Sequence, residues 1–153
     1  LRIAEKAKKL LGGNLKNKKI GVLGLSFKPN TDDMRDAPSI IIINKLLEMG
    51  AKIKAYDPVA MENAKKIFKT VEFYPNSYSV SEGCDILIVM TEWNEFRQLD
   101  LLKIKKSMKQ PILLDSRNIY DPNVLREMGF IYMGVGRGKR CLLPGLLGLS
   151  EVI

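Results

Sequence analysis

"KKIGVLGLSFKPNTDDMRDAPSIIIINKLLEMG", residues 18–50, holds in one run the unit from which the rest of the chain is read. An apolar stretch ends near Leu25, a charged loop follows, and a second apolar run begins just after Pro38 and stops at Gly50. Proline suits the first turn of a helix and glycine its end, so the second run is predicted to be helical. The first, short and β-branched, is predicted to be a strand. In nucleotide-binding sheets the loop between such a strand and helix is rich in glycine, which lets backbone N–H groups approach a phosphate. Laid over the fingerprint G-x-G-x-x-G, this loop has Gly24 and then Ser26 and Pro29 where the other two glycines belong. It carries Lys28, Asp32, Asp33, Arg35 and Asp36 instead.

Outward from this unit the pattern repeats. Strand-like runs at residues 51–58, 71–75, 85–93, 111–118 and 130–137 alternate with helical patterns at 61–69, 79–84, 94–108 and 121–129. The unbroken apolar run in "DILIVMTEW" implies a strand buried on both faces. The whole predicts an α/β fold: a doubly wound, mainly parallel six-stranded Rossmann-like sheet with helices on both faces and right-handed crossovers. Before it, "LRIAEKAKKLL" has an apolar stripe at helical spacing and no capping residue, so residues 1–17 are expected to be the end of a longer helix and a linker. The domain itself is expected over 18–137. Residues 138–153, with apolar side chains crowded around Pro144, Gly145 and Gly148, read as a loosely packed extension.

Composition narrows the function classes. A chain of 153 residues, 46% hydrophobic, suffices for one domain with a real core. It shows neither a membrane-length apolar run nor a signal-peptide pattern, so a soluble, cytoplasmic protein is expected. Cys84 and Cys141 form no CxxC pattern, and Cys84, opening an apolar strand, is expected to be buried and inert. The chain has no histidine, so it lacks the commonest general base and metal ligand, which counts against complete catalytic machinery and a metal centre. The net charge of +8 arises largely from residues 1–19, where seven Lys and Arg face Glu5 alone. With no aromatics interleaved for base stacking, that run reads as a solvated helix face, and no nucleic-acid partner is expected.

Ligands of open α/β sheets bind outside the carboxyl ends of the strands. Applied as a filter, this rule selects Ser26, Phe27 and Lys28; Asp57; Thr91, Glu92 and Trp93; and Asp115, Ser116 and Arg117. Lys28 offers an ammonium group in place of backbone donors, and Arg117 a planar fork suited to two phosphate oxygens. Phe27 is either a flat face beside a base or sugar, or core. Asp32 and Asp33 cap the helix at Pro38, pair with Arg35 or hydrogen-bond a ribose. Trp93 either plugs the core, with Thr91 and Glu92 serving the next helix, or belongs to the site.

Four stretches in order, "GVLGLSFKPNTDDMRDAPS", "AYDPVAMENAKK", "VMTEWNEF" and "DSRNIYDP", closely resemble the C-terminal, nucleotide-sugar-binding domain of the UDP-glucose/GDP-mannose dehydrogenase family. The resemblance implies a larger NAD-dependent enzyme in which an N-terminal Rossmann domain holds NAD and a long central helix joins the halves and supports dimerisation. The C-terminal domain closes over the UDP part of the substrate. By that resemblance Phe27, Lys28 and Arg117 contact the UDP-sugar, Arg35 reaches NAD across the domain cleft, and residues 1–11 end the connecting helix. The family oxidises a sugar alcohol to a carboxylate by two hydride transfers to NAD through a cysteine nucleophile. Neither Cys84 nor Cys141 stands in the matching motif, so no catalytic residue is assigned here and the chain alone is expected to be inactive. Ser116 stands where the family usually has glycine. The loop with Pro29, Thr31 and Met34 resembles the UDP-glucose branch, which makes UDP-glucuronate. A GDP-mannose or UDP-N-acetylhexosamine dehydrogenase is an alternative, and so is a stand-alone nucleotide-sensing module. The implied partners are a UDP-sugar, the NAD-binding and central domains of the same enzyme, and further copies in a homo-oligomer; a membrane is not among them.

Overall fold

The computed structural model describes residues 2–136. The expected extension at 138–153, and Cys141 within it, lie outside the described residues. In chain order the elements are α1 (Arg2–Leu10), β1 (Lys19–Leu23), α2 (Pro38–Glu48), β2 (Lys52–Tyr56), α3 (Met61–Ile67), β3 (Glu72–Phe73) and α4 (Ser77–Ser81). Then come β4 (Ile86–Val89), α5 (Asn94–Arg97), α6 (Leu101–Ser107), β5 (Ile112–Asp115), α7 (Pro122–Glu127) and β6 (Ile131–Gly134). The six strands form one sheet in the order β3-β2-β1-β4-β5-β6, and every pairing is parallel. The doubly wound reading therefore holds, and the strand order reverses between β1 and β4.

Alternation along each strand builds two cores. Ile20 and Val22 of β1, Ile53 and Ala55 of β2, Ile86 and Ile88 of β4, and Ile112 and Leu114 of β5 face one way, against Ile43 and Leu46 of α2 and Ala64 of α3. Leu23, Tyr56, Leu87, Val89 and Leu113 face the other way, against Val80 of α4, Ile104 of α6 and Leu125 of α7. The helix α1 joins the first layer, burying Ile3, Ala4 and Ala7 beside α2, and Lys6 is carried into the same contact, where burial lowers its pKa. Gly12 and Gly13, both at positive φ, end α1 by returning their N–H groups to Lys9 and Lys8.

The single helix expected over 94–108 is two. Asp100 accepts a hydrogen bond from the Lys103 N–H at 3.2 Å and starts α6 afresh, while the Tyr78 hydroxyl accepts from the Asp100 N–H at 3.0 Å. Apolar spacing alone does not reveal this break, because Phe96, Leu101 and Ile104 all reach the same core. The helix expected from residue 79 starts earlier, where the Asn76 side chain accepts from the Ser79 N–H at 2.8 Å. Cys84 is buried as expected, its thiol pushed up to about 11 by desolvation. No helix among the described residues is long and apolar enough to cross a membrane.

The reversal point needs one particular glycine. Gly24 has φ +93°, and a Cβ there would lie 1.6 Å from Thr91 Oγ1 and 2.8 Å from the Thr91 backbone N. The ends of β1 and β4 thus approach more closely than any side chain permits. Gly24→Ala is expected to lower stability by about 3 kcal/mol or more, since left-handed strain adds to an overlap with backbone. Urea denaturation measures it, and a loss below about 1 kcal/mol would contradict the close-approach role.

Candidate functional site

The loop after β1 is charged on its outside and tied down from its inside. Asp57, fully buried at the end of β2, is the tie. One carboxyl oxygen accepts from the Leu25 N–H at 2.8 Å and the Ser26 N–H at 3.4 Å; the other accepts from the N–H groups of Val59 at 2.9 Å and Ala60 at 2.8 Å. The Ser39 hydroxyl donates to the Leu25 carbonyl and the Ser26 hydroxyl to the Lys28 carbonyl, while the Phe27 N–H closes the loop onto the Asp33 carbonyl at 3.0 Å. Met34 is buried in the first core, and Asn63 of α3 donates to the Asp32 carbonyl at 2.9 Å. With its backbone so held, the loop presents Phe27, Lys28, Asp32, Arg35 and Asp36 to solvent.

The carboxyl ends of β4 and β5 are fixed in the same manner. Val89 O accepts from both the Ser116 N–H at 3.0 Å and the Ser116 hydroxyl at 2.6 Å. Asp115, fully buried, accepts from Arg117 N–H, Tyr120 N–H and Tyr132 Oη, and Asn118 exchanges two hydrogen bonds with the Val135 backbone. Arg117 turns its guanidinium onto Glu92, with Nε to Oε2 at 2.8 Å and Nη2 to Oε1 at 2.9 Å. That bidentate pair holds Glu92 below the usual carboxylate range and raises Arg117.

Two recesses open on this edge. The first, about 190 Å³, lies at the strand-order reversal and is lined by Ser26, Phe27, Ser39, Ser116 and Arg117 together with apolar residues including Ile42 and Met90. Phe27 is 51% exposed, so it is not a core residue. The second recess, about 720 Å³, runs between residues 31–35 and α3 and is lined by Arg35, Asn63 and Lys66 among others. The structure therefore brings Phe27 and Arg117 together and sets Arg35 in a separate groove. Lys28 stands exposed beside Phe27, and its charge is felt by the Asp33 carboxyl of the same loop.

Of the roles open to the paired aspartates, Asp33 takes the ion pair. Its oxygens accept from Arg35 Nε at 3.0 Å, Nη2 at 2.9 Å and the backbone N–H at 2.9 Å. Neither aspartate caps α2, which begins at Ala37 without a side-chain cap. Nor do Thr91 and Glu92 cap the next helix: Trp93 stands at its cap position, and Glu92 serves Arg117 instead. The Asp57 tie and the Glu92–Arg117 pair were both missed from sequence. Both acids sit at strand ends, which placed them at the site, but nothing in their spacing names their partners.

Residues 21–122 match the model of the UDP-glucose/GDP-mannose dehydrogenase family, UDP binding domain. A UDP-glucose 6-dehydrogenase of Rhizobium meliloti is 46% identical over 126 residues, which are 82% of this chain and 29% of that protein. One from Bacillus subtilis is 41% identical over 126 residues, 82% of this chain and 27% of its own length. Among solved structures, a UDP-glucose dehydrogenase from Pyrobaculum islandicum superposes with TM-score 0.71 at 30% identity, covering 87% of this chain and 28% of that one. The chain thus spans under a third of the length of these relatives.

The Arg35 contact has a direct titration signature. It holds the Asp33 carboxyl down at about 2, through the side-chain hydrogen bonds first and the backbone one second. A depressed folded pKa stabilises the fold above the unfolded value near 4, and that contribution is lost as pH falls toward 2. Following the Asp33 carboxyl carbon by NMR should give a midpoint near 2 that rises toward the ordinary aspartate value in Arg35→Ala. A midpoint indifferent to Arg35 would contradict the pairing.

Proposed function

The chain belongs to the UDP-glucose/GDP-mannose dehydrogenase family through its UDP binding domain, and from that premise we propose that it is the substrate-side domain of an NAD-dependent UDP-glucose 6-dehydrogenase, which oxidises UDP-glucose to UDP-glucuronate. The observation that carries the reading is the convergence of Phe27 and Arg117 on one recess at the reversal point of the sheet, with Lys28 exposed next to Phe27 on the same loop. Phe27 offers its ring to the base or sugar, and Lys28 a point charge to the diphosphate. Arg117 offers the guanidinium edge that Glu92 leaves unused to oxygen acceptors of the substrate.

The arrangement argues against this edge as the main dinucleotide site. An acid at the end of the second strand ordinarily receives the ribose hydroxyls of NAD. Asp57 occupies that place, yet it is fully buried and accepts four backbone N–H groups. Ser26 and Pro29 also remove the glycines that a pyrophosphate needs. In this proposal NAD is held mainly by a domain outside the chain, and Arg35, 89% exposed yet oriented by Asp33, extends to it from the second groove. Residues 1–17 form the end of the connecting helix and linker, 18–137 the UDP-sugar domain and 138–153 an extension. The nucleophilic cysteine comes from elsewhere in the longer protein, which acts as a cytoplasmic homo-oligomer. The curated relatives at 39 to 46% identity carry the name UDP-glucose 6-dehydrogenase, which supports glucose over the other hexoses.

Lys28→Ala is expected to weaken UDP binding by roughly 1.5 to 3 kcal/mol, about tenfold or more, with the fold intact. Calorimetry with UDP measures it, and an unchanged affinity would remove Lys28 from the site. In the longer enzyme Arg35→Ala should raise the KM for NAD and leave UDP affinity nearly unaltered. If Arg35 serves Asp33 alone, NAD kinetics will not change.

A further inference from the structure

Arg117 is held twice over. Its backbone is fixed by hydrogen bonds that do not involve its side chain: Ser116 on Val89 O, the Arg117 N–H on Asp115, and Asn118 on Val135. Glu92, which follows β4, therefore adds little to the path of the chain after β5. The ion pair is bidentate, with side chains 35% and 30% exposed, so whatever stability it adds comes with a fixed geometry for the guanidinium. What Glu92 does fix is the guanidinium. By taking Nε and Nη2 with its two oxygens it sets the plane of the fork and leaves the remaining N–H groups on the far edge. Arg117 lines the recess at the reversal point, and Glu92 is not among the lining residues.

We infer that Glu92 is a positioning residue for substrate binding: it grips Arg117 by one edge so that the other is presented, already oriented, to the nucleotide sugar. A long, flexible side chain loses rotamer freedom when it is immobilised on a ligand, and the carboxylate meets that cost before the ligand arrives. The same pairing sets the Arg117 guanidinium against a carboxylate, so that its contribution to a ligand is directional hydrogen bonding. This inference rests on the proposal that the recess binds a UDP-sugar. It adds a residue whose own side chain need not touch the ligand.

The test uses the full 153-residue chain, with UDP as the probe, in wild type, Glu92→Ala, Glu92→Gln, Arg117→Ala and the Glu92→Ala/Arg117→Ala double variant. Folding is checked in each by amide spectra. Glu92→Ala is expected to weaken UDP binding about five- to tenfold, and the double variant to bind no more weakly than Arg117→Ala alone, since Glu92 acts only through Arg117. Glu92→Gln, which retains one acceptor oxygen, should recover part of the loss. The Arg117 Nε–H resonance is expected to exchange slowly in wild type, where Glu92 accepts its hydrogen bond, and to broaden or vanish in Glu92→Ala, a change that a general loss of stability would not produce selectively. Equal or tighter UDP binding by Glu92→Ala, with Arg117→Ala weakened, would overturn the inference and make Glu92 a competitor for the arginine. Losses that add in the double variant would overturn it as well. If wild type fails to bind UDP, or Arg117→Ala binds it normally, the site assignment itself falls and the inference with it.

Discussion

Four backbone N–H groups converge on the carboxyl of Asp57, and the shape of the carboxyl edge of the sheet follows from that convergence. Two of the donors, Leu25 and Ser26, open the loop after β1; the other two, Val59 and Ala60, open the turn into α3. A buried polar group left without partners costs on the order of 1 to 3 kcal/mol, so neither turn relaxes independently of the other. Gly24 completes the constraint by letting the start of the loop pass against Thr91. The loop leaves β1 in one direction, and its charged side chains face outward because its inward groups are already engaged.

That constraint separates two tasks. On one side of the loop Phe27 and Arg117, which follows β5, line one small recess together with apolar residues. On the other, Arg35 lies in a wider groove against α3, locked to Asp33. A glycine-rich loop would place phosphate on its own backbone N–H groups. Here Phe27 N–H is spent on Asp33 O, while Leu25 and Ser26 N–H are spent on Asp57. In the proposed function, recognition consequently passes to side chains. Asp33 and Glu92 each hold one arginine of this edge by the same bidentate grip.

Much of this was legible in the sequence. Short β-rich runs set between helical patterns made the strands readable, and Pro38 and Gly50 marked the bounds of α2. The filter at strand ends placed Phe27 and Arg117 on one edge because parallel strands end on the same side. Pairings between residues far apart in the chain were not legible. Asp57 looks like a ribose acid by position, and only the folded loop shows that its oxygens are taken. Glu92 looks like a helix-start residue, and its true partner lies 25 positions away, in the turn after the neighbouring strand. The break before α6 was hidden because apolar spacing continues across it, and only the Asp100 cap reveals it.

The function proposed for this edge is recognition of a uridine nucleotide through side chains and not of a dinucleotide through backbone. It is tested most directly by titrating UDP, GDP and NAD into the isotope-labelled chain and following the amide resonances of residues 24–39, 91–93 and 115–118. UDP should shift these amides at micromolar to millimolar concentration, corresponding to roughly −4 to −8 kcal/mol, with GDP and NAD weaker. Shifts in the same amides at lower concentrations of NAD than of UDP would contradict the account and make this a dinucleotide site.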